Sequence, residues 1–103
     1  MVAAMATMRG PVEGLADISR VAGESLGPWL REYAGYRGTL VFSDRDAQKA
    51  HVITLWESAE AEERARISRG AMRDQLAAAA GMEVVGFDVF EVVGYEVLPE
   101  GES

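Results

Sequence analysis

Apolar positions along the chain hold one period for a stretch and then change it, and each change marks the border of an element. Met1 to Met8 is a short apolar run closed by Arg9-Gly10-Pro11. Such a run, bounded by turn residues, reads as a strand ending near Met8. Proline suits the first helical position, where its missing N–H costs nothing. Leu15, Ile18, Ala22, Leu26 and Leu30 then recur at steps of three and four, which places them on one face of an amphipathic helix. Gly27-Pro28 interrupts this helix, and a kink or restart is expected at Pro28, because its ring removes a donor and crowds the preceding turn. Gly35 is expected to end the helix.

Tyr36 to Ser43 and Ala50 to Trp56 are rich in β-branched and aromatic residues, with the polar stretch Asp44 to Lys49 between them, the pattern of an antiparallel hairpin. Alternation sends His51, Ile53 and Leu55 to one face of the second strand and Val52, Thr54 and Trp56 to the other, so both faces are expected to be covered. Ser58 is a cap for a second helix, with Glu60, Glu62 and Glu63 early and Arg64, Arg66, Arg69 and Arg73 later, as the macrodipole favours. Glu60/Arg64 and Glu62/Arg66 are helical neighbours. The helix runs through the Ala77–Ala80 tract and stops at Gly81. A last strand is expected from Glu83 to Val97, long enough to reach past its own sheet to a partner. Gly86 and Gly94 within it signal a bulge or a close backbone approach. The order strand–helix–strand–strand–helix–strand predicts a ferredoxin-like α+β domain, βαββαβ with a four-stranded antiparallel sheet. It spans residues 1–98, and Pro99 to Ser103, without apolar side chains, forms a tail expected to be mobile.

Composition narrows what such a domain does. At 103 residues the chain is one domain that buries only about two-thirds of its unfolded surface, so burial against a partner would help it. Apolar residues at 49% and charged residues at 26% suit a packed soluble protein, and no apolar run reaches bilayer length. The apolar start lacks the basic residues of a secretory signal. With no cysteine, thiolate catalysis and thiolate metal sites are excluded, and a cytoplasmic location fits. A formal charge of −7 with no basic cluster opposes phosphate backbones, so no nucleic-acid partner is expected.

Two segments carry a family resemblance that spans Met5 to about Val97. Tyr33-Ala-Gly-Tyr-Arg-Gly38 joins the first helix to the second strand, and Thr54-Leu-Trp-Glu-Ser58 joins the third strand to the second helix. The chain resembles the dimeric α+β barrel proteins of the antibiotic biosynthesis monooxygenase type. That resemblance implies a homodimer formed through the sheet face, with a small apolar pocket between sheet and helices of each protomer. It also implies, for some members, oxidation of polycyclic phenols or quinols by oxygen without a cofactor. Of the residues such enzymes use, Trp56 is matched. The Asn four residues before it and the Tyr six after it are replaced by Val52 and Glu62. The haem-degrading branch relies on an early-strand Asn, a Trp and a His, for which this chain has no Asn in the first strand, Ala65 and Gln75.

The candidate chemistry is sparse. Trp56 can shape an apolar pocket, stack on a flat ligand and donate one hydrogen bond, or simply fill the core. His51, the lone imidazole, is the natural general base near neutral pH, though its place beside a polar turn suits an exposed strand-start residue. Arg73 is placed to steer an anionic oxygen, or is a solvated helix residue. Tyr33, Tyr36, Phe42 and Met72 complete the expected pocket around Trp56, each equally readable as packing. Asp44 and Asp46 are better explained by the turn than by a cation, so no metal site is assigned. Two readings follow: a cofactor-free oxygenase acting on a small aromatic quinol or polycyclic phenol, and a non-catalytic dimeric module for small-ligand binding or assembly. Neither calls for a cofactor.

Overall fold

The computed structural model describes residues 1–96 and 98. Within its helices the side chains of residues 19, 22, 25, 68–73 and 76 lie outside the described set. The elements are β1 (Val2–Arg9), α1 (Val12–Val21), a π-helical turn (Ala22–Leu26), α2 (Gly27–Leu30), β2 (Tyr36–Asp44), β3 (Lys49–Trp56), α3 (Ala59–Ala79) and β4 (Glu83–Glu91). The four strands form one antiparallel sheet in the order β2-β3-β1-β4, the ferredoxin-like arrangement the element order predicts.

The helices cover one face. Ala4, Ala6 and Met8 of β1 and Ala50, Val52 and Trp56 of β3 are buried against Leu15, Ile18, Leu26, Leu30, Ala61, Ala65, Ala77 and Ala80. Alanine on both sides of this layer lets helix and sheet approach closely. Where α1 begins, the fit is tighter still, since a Cβ on Gly14 would lie 2.6 Å from the Ala80 carbonyl oxygen.

Local signals act where the residues place them. Ser58 Oγ accepts the Ala61 N–H at 3.2 Å and caps α3. Gly81, at φ +72°, ends that helix while the Met82 N–H turns back to the Ala77 carbonyl. In the hairpin turn Asp44 Oδ1 accepts the Ala47 N–H at 3.1 Å. The interruption expected at Pro28 takes the form of the π turn over Ala22–Leu26, followed by a restart at Gly27. The widened turn gives room to a ring that would crowd the carbonyl four residues back.

Two features depart from plain alternation. In β2, Tyr36 pairs with Trp56 but Gly38 pairs with Leu55, so Arg37 is an extra residue. In β4, Thr7 pairs with Gly86 and Met8 with Val84, leaving Val85 extra, the bulge that Gly86 signals. The last strand is also shorter than expected. It ends at Glu91, opposite Val2 of β1, and the Val92 N–H bonds the Met1 carbonyl at 2.9 Å. Val97 and the tail at 99–103 lie outside the described residues.

The face of the sheet away from the helices stays open. Strand register lays it out in rows: Gly38–Leu55–Ala3–Phe90, Leu40–Ile53–Met5–Asp88, Phe42–His51–Thr7–Gly86 and Asp44–Lys49–Arg9–Glu83. Leu40, Phe42 and Phe90 are 43%, 51% and 50% exposed, so among the described residues much of this apolar surface is uncovered, although Leu55 in the first row is buried.

Candidate functional site

The helix-side end of the hairpin gathers four aromatic rings. Trp56 closes β3, faces the helices and is fully buried. Tyr36, its partner across the strands, meets it edge-on with ring centres 5.5 Å apart. Tyr33 approaches from the end of the first helix at 6.4 Å, and Trp29 stacks edge-on against Tyr33 at 5.1 Å. The backbone locks this junction. The Glu57 N–H bonds the Gly35 carbonyl at 2.7 Å, and Gly35, at φ +88°, leaves no space for a side chain because a Cβ there would sit 2.6 Å from the Ala61 Cβ.

Most polar atoms of the cluster are already engaged. The Trp56 indole N–H donates to Thr54 Oγ1 at 2.9 Å, two residues back on the same strand face. The Tyr36 hydroxyl bonds Thr39 Oγ1. Among the described residues the Tyr33 hydroxyl has no such partner. Of the expected pocket, Trp56, Tyr33 and Tyr36 come together. Met72 and Arg73 lie on α3 with side chains outside the described residues.

Phe42 does not join them, and the bulge is the reason. Counting by twos from Tyr36 puts Phe42 on the same face, but the extra Arg37 reverses the parity, so Phe42 lies on the open face beside His51. His51 is on that face too, separated from Trp56 by the sheet. It is half-buried rather than exposed, flanked by Phe42 and hydrogen-bonded through Nδ1 to Thr7 Oγ1 at 3.1 Å. A single active centre containing both His51 and Trp56 is therefore ruled out within a protomer.

Two participants are not evident from sequence reasoning alone. Trp29 reads as part of an interruption next to Pro28, although its spacing of four from Tyr33 already places both on one helix face. Glu62 reads as one of several exposed helical acids, yet it is 1% exposed. Its Oε1 lies 3.6 Å from an Arg66 guanidinium nitrogen, and Arg66 in turn sits 5.6 Å above the Phe87 ring on the helix side of β4. A buried carboxylate needs such pairing, and it makes the helix–sheet layer polar at one point.

Two open pockets are lined by described residues. One of about 300 Å3 lies between Met1, Arg37, Leu55, Glu57 and Tyr95, and one of about 360 Å3 between Asp74, Ala77, Met82, Glu83 and Val84. Neither includes Trp56. Among the described residues no three His, Asp or Glu side chains come together as a metal site, and no helix is long and apolar enough to cross a membrane.

No protein-family model matches the chain, and no curated protein matches its sequence. Solved structures match closely in shape. A Bordetella bronchiseptica protein described as an antibiotic biosynthesis monooxygenase superposes with a TM-score of 0.71 at 16% identity, covering 89% of this chain and 96% of that one. SnoaB, a cofactor-independent oxygenase from Streptomyces nogalater, gives 0.63 at 17% identity over 96% and 98% of the two chains. The ActVA-Orf6 monooxygenase of Streptomyces coelicolor, solved with the ligand nanaomycin D, gives 0.61 at 20% identity over 96% and 92%. The chain thus has the ferredoxin-like fold of the antibiotic biosynthesis monooxygenases.

Proposed function

We propose that this protein is a cofactor-free oxygenase of small aromatic quinols or polycyclic phenols, working as a homodimer joined through its open sheet face. The observation that carries the reading is the Trp29–Tyr33–Tyr36–Trp56 cluster at the junction of sheet and helices, in a fold shared with SnoaB and ActVA-Orf6. Flat apolar walls suit a flat ligand, and the Tyr33 hydroxyl supplies a hydrogen bond to one of its oxygens. The chemistry is balanced without a redox group. A ring CH2 flanked by aromatic rings loses a proton, its carbanion passes an electron to O2, and the recombined peroxide loses water, so CH2 and O2 become C=O and H2O. The protein's part is to position the substrate and exclude bulk water. A cytoplasmic location goes with this reading.

The test is oxygen uptake with anthrone, dithranol and a set of quinols after metals are stripped. Turnover that falls at least about tenfold in Trp56→Phe or Tyr33→Phe, with the fold intact, supports the assignment. No uptake and no ligand-induced change in tryptophan fluorescence would transfer the protein to the second reading, a non-catalytic dimeric ligand-binding or assembly module. One observation favours that reading: Trp56 is fully buried and its only donor is taken by Thr54.

A further inference from the structure

We propose that the pocket between Met1, Arg37, Leu55, Glu57 and Tyr95 binds a small zwitterion, an α-amino acid with an apolar side chain. The inference depends neither on the oxygenase reading nor on the dimer. The pocket excludes Trp56, its floor Leu55 lies on the opposite face of β3, and every lining residue belongs to one protomer.

The strands build this site at one end of the sheet. Val2, Trp56 and Tyr36 pair across β1, β3 and β2, and Trp56 faces the helices. One residue further along, Met1 and Glu57 continue the open-face series of Ala3 and Leu55. Arg37 is the extra residue of the β2 bulge, and a bulge re-aims the side chain it carries. Here it brings a guanidinium to the pocket that Leu55 floors. Gly38, opposite Leu55, adds nothing over that floor, whereas a Cβ there would lie 3.9 Å from Leu55 Cδ1. The backbone on both sides is tied down. The Glu57 N–H bonds the Gly35 carbonyl at 2.7 Å, and the Val92 N–H bonds the Met1 carbonyl at 2.9 Å where the chain leaves β4 on its way to Tyr95.

A volume of about 300 Å3 is at the small end of ligand sites, and Met1, Leu55 and the Tyr95 ring give it apolar walls. Its two charges are of opposite sign and do not cancel each other. Among the described residues neither Arg37 nor Glu57 makes an ion pair, with the other or with any third side chain. A ligand of single charge suits such a pocket badly. A plain carboxylate held by Arg37 meets the like charge of Glu57, and a plain amine held by Glu57 meets that of Arg37. The chain's net charge of −7 opposes anions further. A molecule with carboxylate and ammonium on one carbon satisfies both groups. Its carboxylate accepts from the planar guanidinium fork, its ammonium donates to Glu57, and with no net charge it is not repelled by the protein's field. An apolar side chain on the same carbon then covers Leu55.

Amide NMR spectra of the 15N-labelled full chain, titrated with L-leucine to roughly 10 mM, read the binding. Saturable shifts are expected at Arg37, Gly38, Leu55, Glu57 and Tyr95, with the indole N–H signals of Trp29 and Trp56 unmoved. The two halves of the zwitterion are tested with 4-methylpentanoate, which lacks the ammonium, and 3-methylbutylamine, which lacks the carboxylate. Each should bind at least about tenfold more weakly than leucine, and Arg37→Met and Glu57→Gln should each weaken leucine by a similar factor in an otherwise unchanged spectrum. Arg45→Met, which removes the same charge in the hairpin turn at the far end of β2, should bind leucine as the native chain does. No saturable shift with leucine would overturn the inference. So would shifts centred on the indole signals, equal binding of either single-charge analogue, or an equal loss in Arg45→Met.

Discussion

Gly35 carries two constraints at one position: a left-handed backbone and a Cβ-sized space already filled by Ala61. Gly35→Ala should therefore cost about 2 kcal/mol or more and lower Tm by roughly 8–16 °C in a thermal melt, with Tyr33, Tyr36 and Trp56 losing their mutual packing. Thr54→Val keeps the shape but removes the hydroxyl to which the buried indole N–H of Trp56 donates. About 1–3 kcal/mol should be lost in a denaturant titration, with a shift in tryptophan emission as the reporter. At this scale the sequence is legible for Trp56 and poorly legible for its supports. Alternation places Thr54 and Trp56 on one strand face, but nothing in a single sequence says that the hydroxyl of one reaches the ring of the other. Glu62 is less legible still, since a charged residue among charged helical neighbours looks solvated until the path of α3 over β4 is known.

The strands show where periodicity works and where it stops. In β3 the alternation of His51, Ile53 and Leu55 against Val52, Thr54 and Trp56 is uninterrupted, and the faces come out as the residues predict. In β2 the same counting fails at Arg37, because an inserted residue leaves no mark unless the partner strand is beside it. Deleting Arg37 should remove the bulge and restore plain alternation, with Thr39 and Val41 still toward the helices and Leu40 and Phe42 still on the open face. A denaturant titration should therefore still show one cooperative transition, and Arg37→Ala, which keeps the bulge, should change stability by less than about 0.5 kcal/mol. The end of β4 is hidden for a related reason. The β-rich composition continues past Glu91, and composition does not say where pairing with a neighbouring strand stops.

For the molecule as a whole, the order and kinds of element are readable from apolar periods, while the distribution of chemistry between the two sides of the sheet is not. The helix side holds the aromatic cluster and Glu62, and the open side holds His51 among exposed apolar residues. If the open face is where copies meet, Leu40→Lys should give a folded monomer, with Tm falling as dimer burial is lost and light scattering reporting half the mass. The bulge that decides which residues of β2 face each side also bears on how the sequence compares with others of this shape. A strand with one more residue than its counterpart cannot be matched to it position by position. Any alignment carried through 36–38 without a gap would score Phe42 against inward residues and Val41 against outward ones. A chain of this kind then looks more unlike other sequences of the same fold than its backbone is, because a single insertion puts a whole strand out of phase.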